Sequence, residues 1–472
     1  MSKKRLTCFL GLPRSPSDRT KYGYAPTRYS WIQEGRDFEE TQFLAVRLAE
    51  HFAVDSIHLL ATEEAWALLG RASDQAERDG PSLQEALTSA GFHDLVHHEI
   101  PKGQGEDTWV LFEQIRRCLM DTEDEVILDV TFGFRVQPFL AAACACFVMA
   151  CQRPGEPRRL RVVYGVQEPG PEGRGSIWEL TPFLDVVTWA LGAQLFLRTG
   201  RADIIGEATE KVGRTLDKRW SEGDHEDPRP NLTELGKSLT HFGRDLATLR
   251  TGALLLGRNG QVSSAKRLLG NIEATRDYLS RHLPALPPIL ERVVGRIRGL
   301  DLEAAEPWLG AAAGRWALAR LARLYQDFER HPEAATIVQE ALVTGYATGE
   351  GAAPGRPGCT WEARDAAKRH FRAAESNLYR DIAGLRNDID HGGFRDSPAQ
   401  AEKLIKKLGT WIDVLEERAR QETSPPPRPP ARPGDRLREI AVQLMAHADE
   451  LDRAAESEVS AVVGSAVQES RR

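Results

Sequence analysis

Residues 125–138 read Glu-Val-Ile-Leu-Asp-Val-Thr-Phe-Gly-Phe-Arg-Val-Gln-Pro, and this stretch decides the fold of the first part of the chain. Its β-branched, apolar start is typical of a buried strand, and an apolar helical pattern begins at Val136. A strand, a short turn with Gly133 and a helix start predict one unit of an α/β sheet. The free backbone N–H groups at such a helix start suit an anion.

The same alternation of strand and helix patterns extends over residues 1 to about 200. Strands are predicted at Leu6–Leu10, Ser56–Ala61, Leu95–Ile100, Val126–Val130 and Leu160–Val166. Helices are predicted between them at Phe38–Phe52, Glu63–Leu69, Thr108–Leu119 and Val136–Cys151. This order indicates a Rossmann-like parallel sheet with helices on both faces, in which ligands bind beyond the carboxyl ends of the strands.

Two loops that follow predicted strands contain residues suited to a nucleotide. The first runs from Gly11 to Tyr29, lacks a GxGxxG fingerprint, and is rich in tyrosine and arginine, which suit bases and phosphates. In the second, Thr131 can donate a hydroxyl and Arg135 can pair with a phosphate. The alternative for the first loop is that its aromatic residues only cover the edge of the sheet. The alternative for the second is that Thr131 caps the helix and Arg135 is a solvated surface residue.

A different pattern starts near residue 183, where apolar residues recur at helical spacing and no strand is evident. Within it, Arg386-Asn-Asp-Ile-Asp-His391 is followed by Gly392-Gly393, which is typical of a helix end. A histidine with a pKa near neutral can transfer protons, and a guanidinium can stabilise charge on a phosphate. These residues suit metal-free RNA cleavage. The alternative is an ordinary ion pair of Arg386 with Asp390 and a surface His391.

The stretch 128–138 resembles the Asp-x-Thr-His-Gly-x-Arg-x-x-Pro signature of CARF domains, the CRISPR-associated Rossmann folds. The glycine and tyrosine loop after the first strand, Thr62 and the stretch 180–200 are similar as well. Phe132 departs from this signature because it occupies the usual histidine position. Arg386 to His391 resembles the R-x4–6-H signature of HEPN nucleases.

The resemblance implies a homodimer, or a higher even oligomer, that binds cyclic oligoadenylate and cleaves single-stranded RNA in type III CRISPR defence. Cyclic tetra-adenylate is the expected activator, and no metal or other cofactor is expected. The implied catalytic residues are Arg386, His391 and, in support, Asn387. The implied ligand-binding residues are Gly11, Leu12, Tyr22, Tyr24, Thr62, Thr131, Phe132, Gly133, Phe134 and Arg135.

The expected domains are a CARF domain (1–200), a helical connecting domain (201–345) and a HEPN core (346–422), followed by a Pro-rich linker (423–434) and a helical tail (435–472). Two other functions remain open at this point. One is a CARF sensor without nuclease activity, and the other is an enzyme that degrades the cyclic messenger. Phe132 in place of the usual histidine argues against the second.

Composition sets further limits on the class of protein. The 472 residues are 41% hydrophobic and 28% charged, which excludes disorder throughout the chain. The net charge of −7 excludes a histone-like basic binder. The apolar run 139–150 is shorter than the roughly 20 residues of a membrane span. None of the six cysteines forms a CxxC zinc pattern, so we expect reduced thiols, no bound metal and a cytoplasmic location.

Overall fold

The structure is a computed structural model that divides into two compact units, Met1–Leu191 and Gly192–Arg472. It describes residues 3–31, 34–73, 77–102, 107–120, 125–133, 136–151, 160–168, 173–221, 231–257, 261–302, 309–347, 361–394 and 398–422. The expected linker (423–434) and tail (435–472) lie outside the described residues. The boundary between the two units lies between Leu191 and Gly192.

The first unit contains an eight-stranded sheet in the order β3-β2-β8-β7-β6-β1-β4-β5. Its strands are β1 (Lys4–Leu10), β2 (Arg28–Trp31), β3 (Arg36–Asp37), β4 (Ser56–Ala61), β5 (Leu95–Glu99), β6 (Glu125–Asp129), β7 (Leu160–Gln167) and β8 (Arg174–Glu179). The pairs β1–β4, β1–β6, β4–β5, β6–β7 and β2–β8 are parallel, whereas β7–β8 and β2–β3 are antiparallel. The predicted Rossmann-like sheet is confirmed.

Helices cover both faces of this sheet, as the alternating pattern predicted. They are α1 (Leu44–Phe52), α2 (Glu63–Ala65) with a π-helical turn (Trp66–Gly70), α3 (Leu83–Ser89), α4 (Thr108–Met120), α5 (Val136–Cys151) and α6 (Thr181–Thr199), which continues into the second unit. Leu6 and Leu10 of β1 pack on one face with α1, while Phe9 packs on the other with α4 and α5. Alternate residues of one strand therefore serve two cores.

The prediction of a helix over Phe38–Phe52 was wrong at its start. The helix begins at Leu44, because residues 36–37 form β3 and Thr27 and Thr41 exchange backbone hydrogen bonds of 2.9 and 3.0 Å. Backbone pairing at the sheet edge thus overrides the local apolar spacing.

Every element of secondary structure described in the second unit is a helix. Its helices after α6 are α7 (Asp203–Ser221), α8 (Leu232–Ala247), α9 (Thr251–Leu255), α10 (Ser264–His282), α11 (Leu286–Ile297), α12 (Ala312–Asp327), α13 (His331–Gly345), α14 (Trp361–Ala374), α15 (Ser376–Asp390) and α16 (Ala401–Glu422). Glu375 separates α14 from α15.

Glycines bring α7 and α8 unusually close together. A Cβ on Gly236 of α8 would lie 2.5 Å from the Glu210 backbone N and 2.6 Å from the Gly206 carbonyl O of α7. A Cβ on Gly213 would similarly lie 2.4 Å from the Thr233 backbone N. Side chains cannot fit at these contacts, so the two backbones pack directly. Across the described residues, no helix combines the length and the apolar character needed to cross a membrane.

Candidate functional site

The first candidate site lies at the end of β1, which is placed between β6 and β4 in the sheet. Its neighbours β4 and β6 run parallel to it, so the carboxyl ends of all three strands lie at one edge of the sheet. The chain adds β4 and β5 on one side of β1 and then crosses to place β6 on the other. Such a topological switch point is where open α/β sheets bind ligands. Gly11, Thr62 and Thr131 follow these three strands.

The loops after β1 and β6 touch each other at Gly11. A Cβ on this residue would lie 2.9 Å from the Phe132 carbonyl O, so only glycine allows this approach. The Tyr24 hydroxyl donates to the Gly11 carbonyl O at 3.0 Å, and the ring centroids of Tyr24 and Phe132 are 4.0 Å apart. Residues of the two loops therefore lie next to one another. This contact covers part of the ring surface of both Tyr24 and Phe132.

Thr131 uses its hydroxyl within the protein. Its Oγ1 donates to Asp129 Oδ1 at 2.5 Å and accepts from the Gly165 backbone N–H at 2.7 Å. The Thr131 backbone N–H also donates to Asp129 Oδ1, at 2.9 Å. The expectation that this hydroxyl donates to a ligand therefore does not match its contacts. The residue holds the turn after β6 against β7.

Asp129 is a buried carboxyl that the sequence analysis did not single out. It is 1% exposed, and Oδ2 has no hydrogen-bond partner among the described residues. Burial raises the pKa of Asp129 to about 6, although the two hydrogen bonds from Thr131 act in the opposite direction. The sequence could have indicated Asp129, because it is a carboxylate at the end of the strand predicted within residues 125–138.

The other expected ligand residues are distributed around these loops. Thr62 caps α2, where its side chain accepts from the Ala65 backbone N–H at 3.2 Å. Leu12 and Tyr22 are half-buried and pack on the core next to α1, and Gly133 is half-buried as well. Phe134 and Arg135 lie outside the described residues.

Arg14 is a further candidate that the sequence analysis missed. Its guanidinium carbon lies 4.0 Å from the centroid of the Tyr22 ring, in a cation–π arrangement, and the residue is exposed. It stands three positions after Gly11, so it brings a positive charge to the loop beyond β1. Tyr29 and Trp31, by contrast, are buried in β2 and belong to the core.

The second candidate site is the carboxyl end of α15. This helix ends at Asp390, and His391 is its C-cap. The Gly393 N–H bonds to the Asp388 carbonyl at 2.9 Å, and the Gly392 N–H bonds to the Ile389 carbonyl at 3.0 Å. With φ of +59° at Gly392, this is a Schellman motif. The predicted helix end is confirmed, and it leaves His391 exposed directly after the last helical turn.

Arg386 has two polar contacts in its own chain. Nε lies 3.0 Å from Asp390 Oδ2, and Nη1 donates to Gln339 Oε1 of α13 at 3.2 Å. The first contact is the i,i+4 pair that the sequence left open as an alternative. Its two side chains are 36% and 37% exposed, so the ion pair contributes little stability. Asn387 is exposed, and its carbonyl accepts from the His391 N–H at 3.0 Å.

Contacts at the amino end of α15 fix the position of the helix. Arg418 of α16 donates to both oxygens of Glu375 at 2.9 and 2.7 Å, and the Tyr346 hydroxyl also bonds to Glu375. Arg418 holds the pKa of the Glu375 carboxyl below its usual value. The ionised pair thus anchors α15 to α16, while Ile382 and Leu385 bury the inner face of α15.

Two basic residues of α14 are paired with acidic neighbours. Arg364 bonds to Thr344 and Glu340, and Arg369 pairs with Asp365 at 2.7 Å. These ion pairs reduce the positive charge that α14 presents. Lys368 is exposed on the same helix.

No protein-family model matches the sequence, and no curated protein matches it. Among solved structures, the chain is similar to Enterococcus italicus Csm6 bound to cyclic hexa-2'-fluoro-hexa-dAMP. The sequence identity is 11%, the match covers 90% of this chain and 96% of that chain, and the TM-score is 0.38.

Proposed function

We propose that the protein is an endoribonuclease that cyclic oligoadenylate activates and that cleaves single-stranded RNA without a catalytic metal. The observation that carries the proposal is the end of α15, where Arg386 lies in the last turn and an exposed His391 follows it. The resemblance of these residues to the HEPN signature supports the assignment. The role in type III CRISPR defence rests on the resemblance of residues 128–138 to the CARF signature.

In the proposed reaction, the 2′-hydroxyl of RNA attacks the adjacent phosphorus and forms the P–O2′ bond as the P–O5′ bond breaks. An imidazole accepts the 2′-hydroxyl proton, and an imidazolium supplies the proton to the leaving 5′-oxygen. Arg386 exchanges its contact with Asp390 for the phosphate and stabilises the charge that grows there. The products are a 2′,3′-cyclic phosphate and a 5′-hydroxyl. Asn387 supports the phosphate or a neighbouring side chain.

The activator is proposed to bind at the carboxyl ends of β1, β4 and β6 in a homodimer. Gly11 lets the activator approach the backbone closely, and the half-buried Leu12 and Tyr22 provide apolar surface for adenine. Thr62 and Thr131 hold the turns in place, and Arg14 adds a positive charge toward phosphate. Cyclic tetra-adenylate is the proposed ring size. Binding must favour the active arrangement over the inactive one, or it shifts no equilibrium.

A quenched fluorescent single-stranded RNA in EDTA tests this proposal. Parent protein receives cyclic tri-, tetra- or hexa-adenylate in turn, beside His391→Ala and the matched control His370→Ala, an exposed histidine of α14. We expect cleavage with cyclic tetra-adenylate, a loss of at least about 100-fold in His391→Ala, and little change in His370→Ala. Equal cleavage by parent and His391→Ala would overturn the catalytic assignment.

One observation favours a second function, a sensor without nuclease activity. Arg386 is held by Asp390 and Gln339 rather than directed freely to solvent. If this pairing persists when the activator binds, the guanidinium cannot reach a phosphate. Binding of labelled cyclic tetra-adenylate without cleavage of any RNA would support this function instead.

A further inference from the structure

A group of nitrogen and sulfur donors lies in the first unit and includes none of the residues of the two candidate sites. Among the described residues, His58, His98 and Cys118 bring one ligand atom each to within 4.8 Å of the others. His98 Nε2 lies 3.0 Å from His58 Nδ1. Cys118 is 2% exposed, and both histidines are half-buried.

The fold brings these residues together from three elements. His58 is in β4, and His98 is in the neighbouring edge strand β5. The pairs His58–Val96 and Leu60–His98 are in register, so both histidines face the same side of the sheet. Leu60 packs in the core that contains Cys118 of α4, which places the thiol over the two imidazoles. This separation in sequence explains why the cysteine spacing gave no zinc pattern.

The chemistry of these donors favours a particular class of ion. Imidazole and thiolate are preferred ligands of Zn²⁺, whereas Mg²⁺ and Ca²⁺ require oxygen. A neutral imidazole is the form that binds metal. The charge of Arg5 opposes a cation, and ionisation of Cys118 to its thiolate offsets that repulsion.

We propose that His58, His98 and Cys118 form a structural site for Zn²⁺ that ties the edge strand β5 and helix α4 to β4. Binding replaces the contact between the two imidazoles with two metal–nitrogen bonds and releases the thiol proton of Cys118. A water molecule completes the tetrahedron.

A buried polar group beside the site supports a water in that position. Thr7 of β1 is opposite His58 in the register, so its side chain faces the same side of the sheet. Thr7 is fully buried, and its Oγ1 has no hydrogen-bond partner among the described residues. A metal-bound water would provide the partner that this hydroxyl lacks.

Titration of the full chain with Co²⁺ tests the proposal, because cobalt replaces zinc and reports its ligands by absorption. We expect one equivalent of Co²⁺ to give tetrahedral d–d bands and a thiolate charge-transfer band, and Zn²⁺ to displace them. Cys118→Ser should lose the charge-transfer band. His98→Asn should weaken binding at least about 10-fold, because the loss of even an outer-shell partner of a metal ligand has an effect of that size.

The matched controls are another cysteine and another histidine. Cys144 is buried on the neighbouring helix α5, where its thiol donates to the Phe112 carbonyl, and His93 is exposed just before β5. Cys144→Ser and His93→Asn should bind Co²⁺ as the parent does, and circular dichroism should verify the fold of every variant. If the folded parent gives no charge-transfer band, or if folded Cys118→Ser retains it, the site does not exist. The result is independent of any nuclease activity.

Discussion

At the scale of single residues, the buried Asp129 predicts how stability depends on pH. Its folded-state pKa of about 6 lies above the usual value of 3.8 for aspartate. The carboxyl therefore contributes stability below about pH 4, and this contribution is lost as the pH rises through 6. Asp129→Asn keeps the acceptor for Thr131 and removes the charge. We expect the stability of the variant relative to the parent to rise between pH 4 and 7, by about 3 kcal/mol.

Denaturant unfolding of both proteins across this pH range measures the difference. Asp79→Asn provides a control of opposite sign, since hydrogen bonds from Ser15 and Ser17 lower the pKa of Asp79. That variant should lose stability relative to the parent as the pH rises. A relative stability of Asp129→Asn that stays constant with pH would show that Asp129 is ionised at no cost.

Arg14 carries the second prediction at this scale. It is exposed on the loop beyond β1, and its guanidinium is already oriented by the ring of Tyr22. If this loop binds a cyclic oligoadenylate, Arg14→Ala should weaken binding about 10-fold, the effect of one lost charge-assisted hydrogen bond. Isothermal titration with cyclic tetra-adenylate measures the loss. Arg19→Ala, at an exposed position in the same loop, should bind as the parent does; equal losses in both variants would indicate a general charge effect.

At the scale of elements, the apolar runs predicted five strands. Four of them, β1, β4, β6 and β7, are largely buried, whereas the edge strand β5 is only partly buried. The strands β2, β3 and β8 were not predicted. The first two have only four and two residues, and β8 has Arg174, Gly175 and Ser176 in its first half, so pairing with neighbouring strands decides their conformation. The same division holds at the sites. The position of His391 could be predicted because the two glycines that follow it end the helix locally. The contacts of Thr131 with Asp129 and Gly165 could not, because they depend on how the strands of the sheet pair.

The direct packing of α7 on α8 gives a prediction about these two elements. In Gly236→Ala the new methyl group would meet backbone atoms of α7 at 2.5 and 2.6 Å, so the helices must separate. We expect a loss of about 2 kcal/mol from overpacking, measured by denaturant unfolding. The matched control is Gly270→Ala in α10, where a Cβ meets nothing within 4 Å. That variant should gain about 0.5–1 kcal/mol from helix propensity, and a similar gain in Gly236→Ala would refute close packing.

At the scale of the whole molecule, the proposed reaction requires two proton transfers on opposite sides of one phosphorus. Within the described residues, each chain carries one Arg386 and one His391 at the end of α15. One imidazole cannot be base and acid at the same moment. A two-fold homodimer that brings two such helix ends together supplies both groups, which is why we propose a composite site.

Mixed dimers distinguish a composite site from two independent ones. Parent protein and His391→Ala are combined in equal amounts, allowed to exchange subunits, and assayed with activator. If cleavage needs histidines from both protomers, only parent homodimers cut RNA, and random pairing leaves about a quarter of the activity per dimer. If each protomer acts alone, half remains. Mixing with His370→Ala should leave the activity unchanged, which verifies that subunit exchange itself does not reduce RNA cleavage. A remainder of one half would assign both proton transfers to a single chain and remove the mechanistic reason for the dimer.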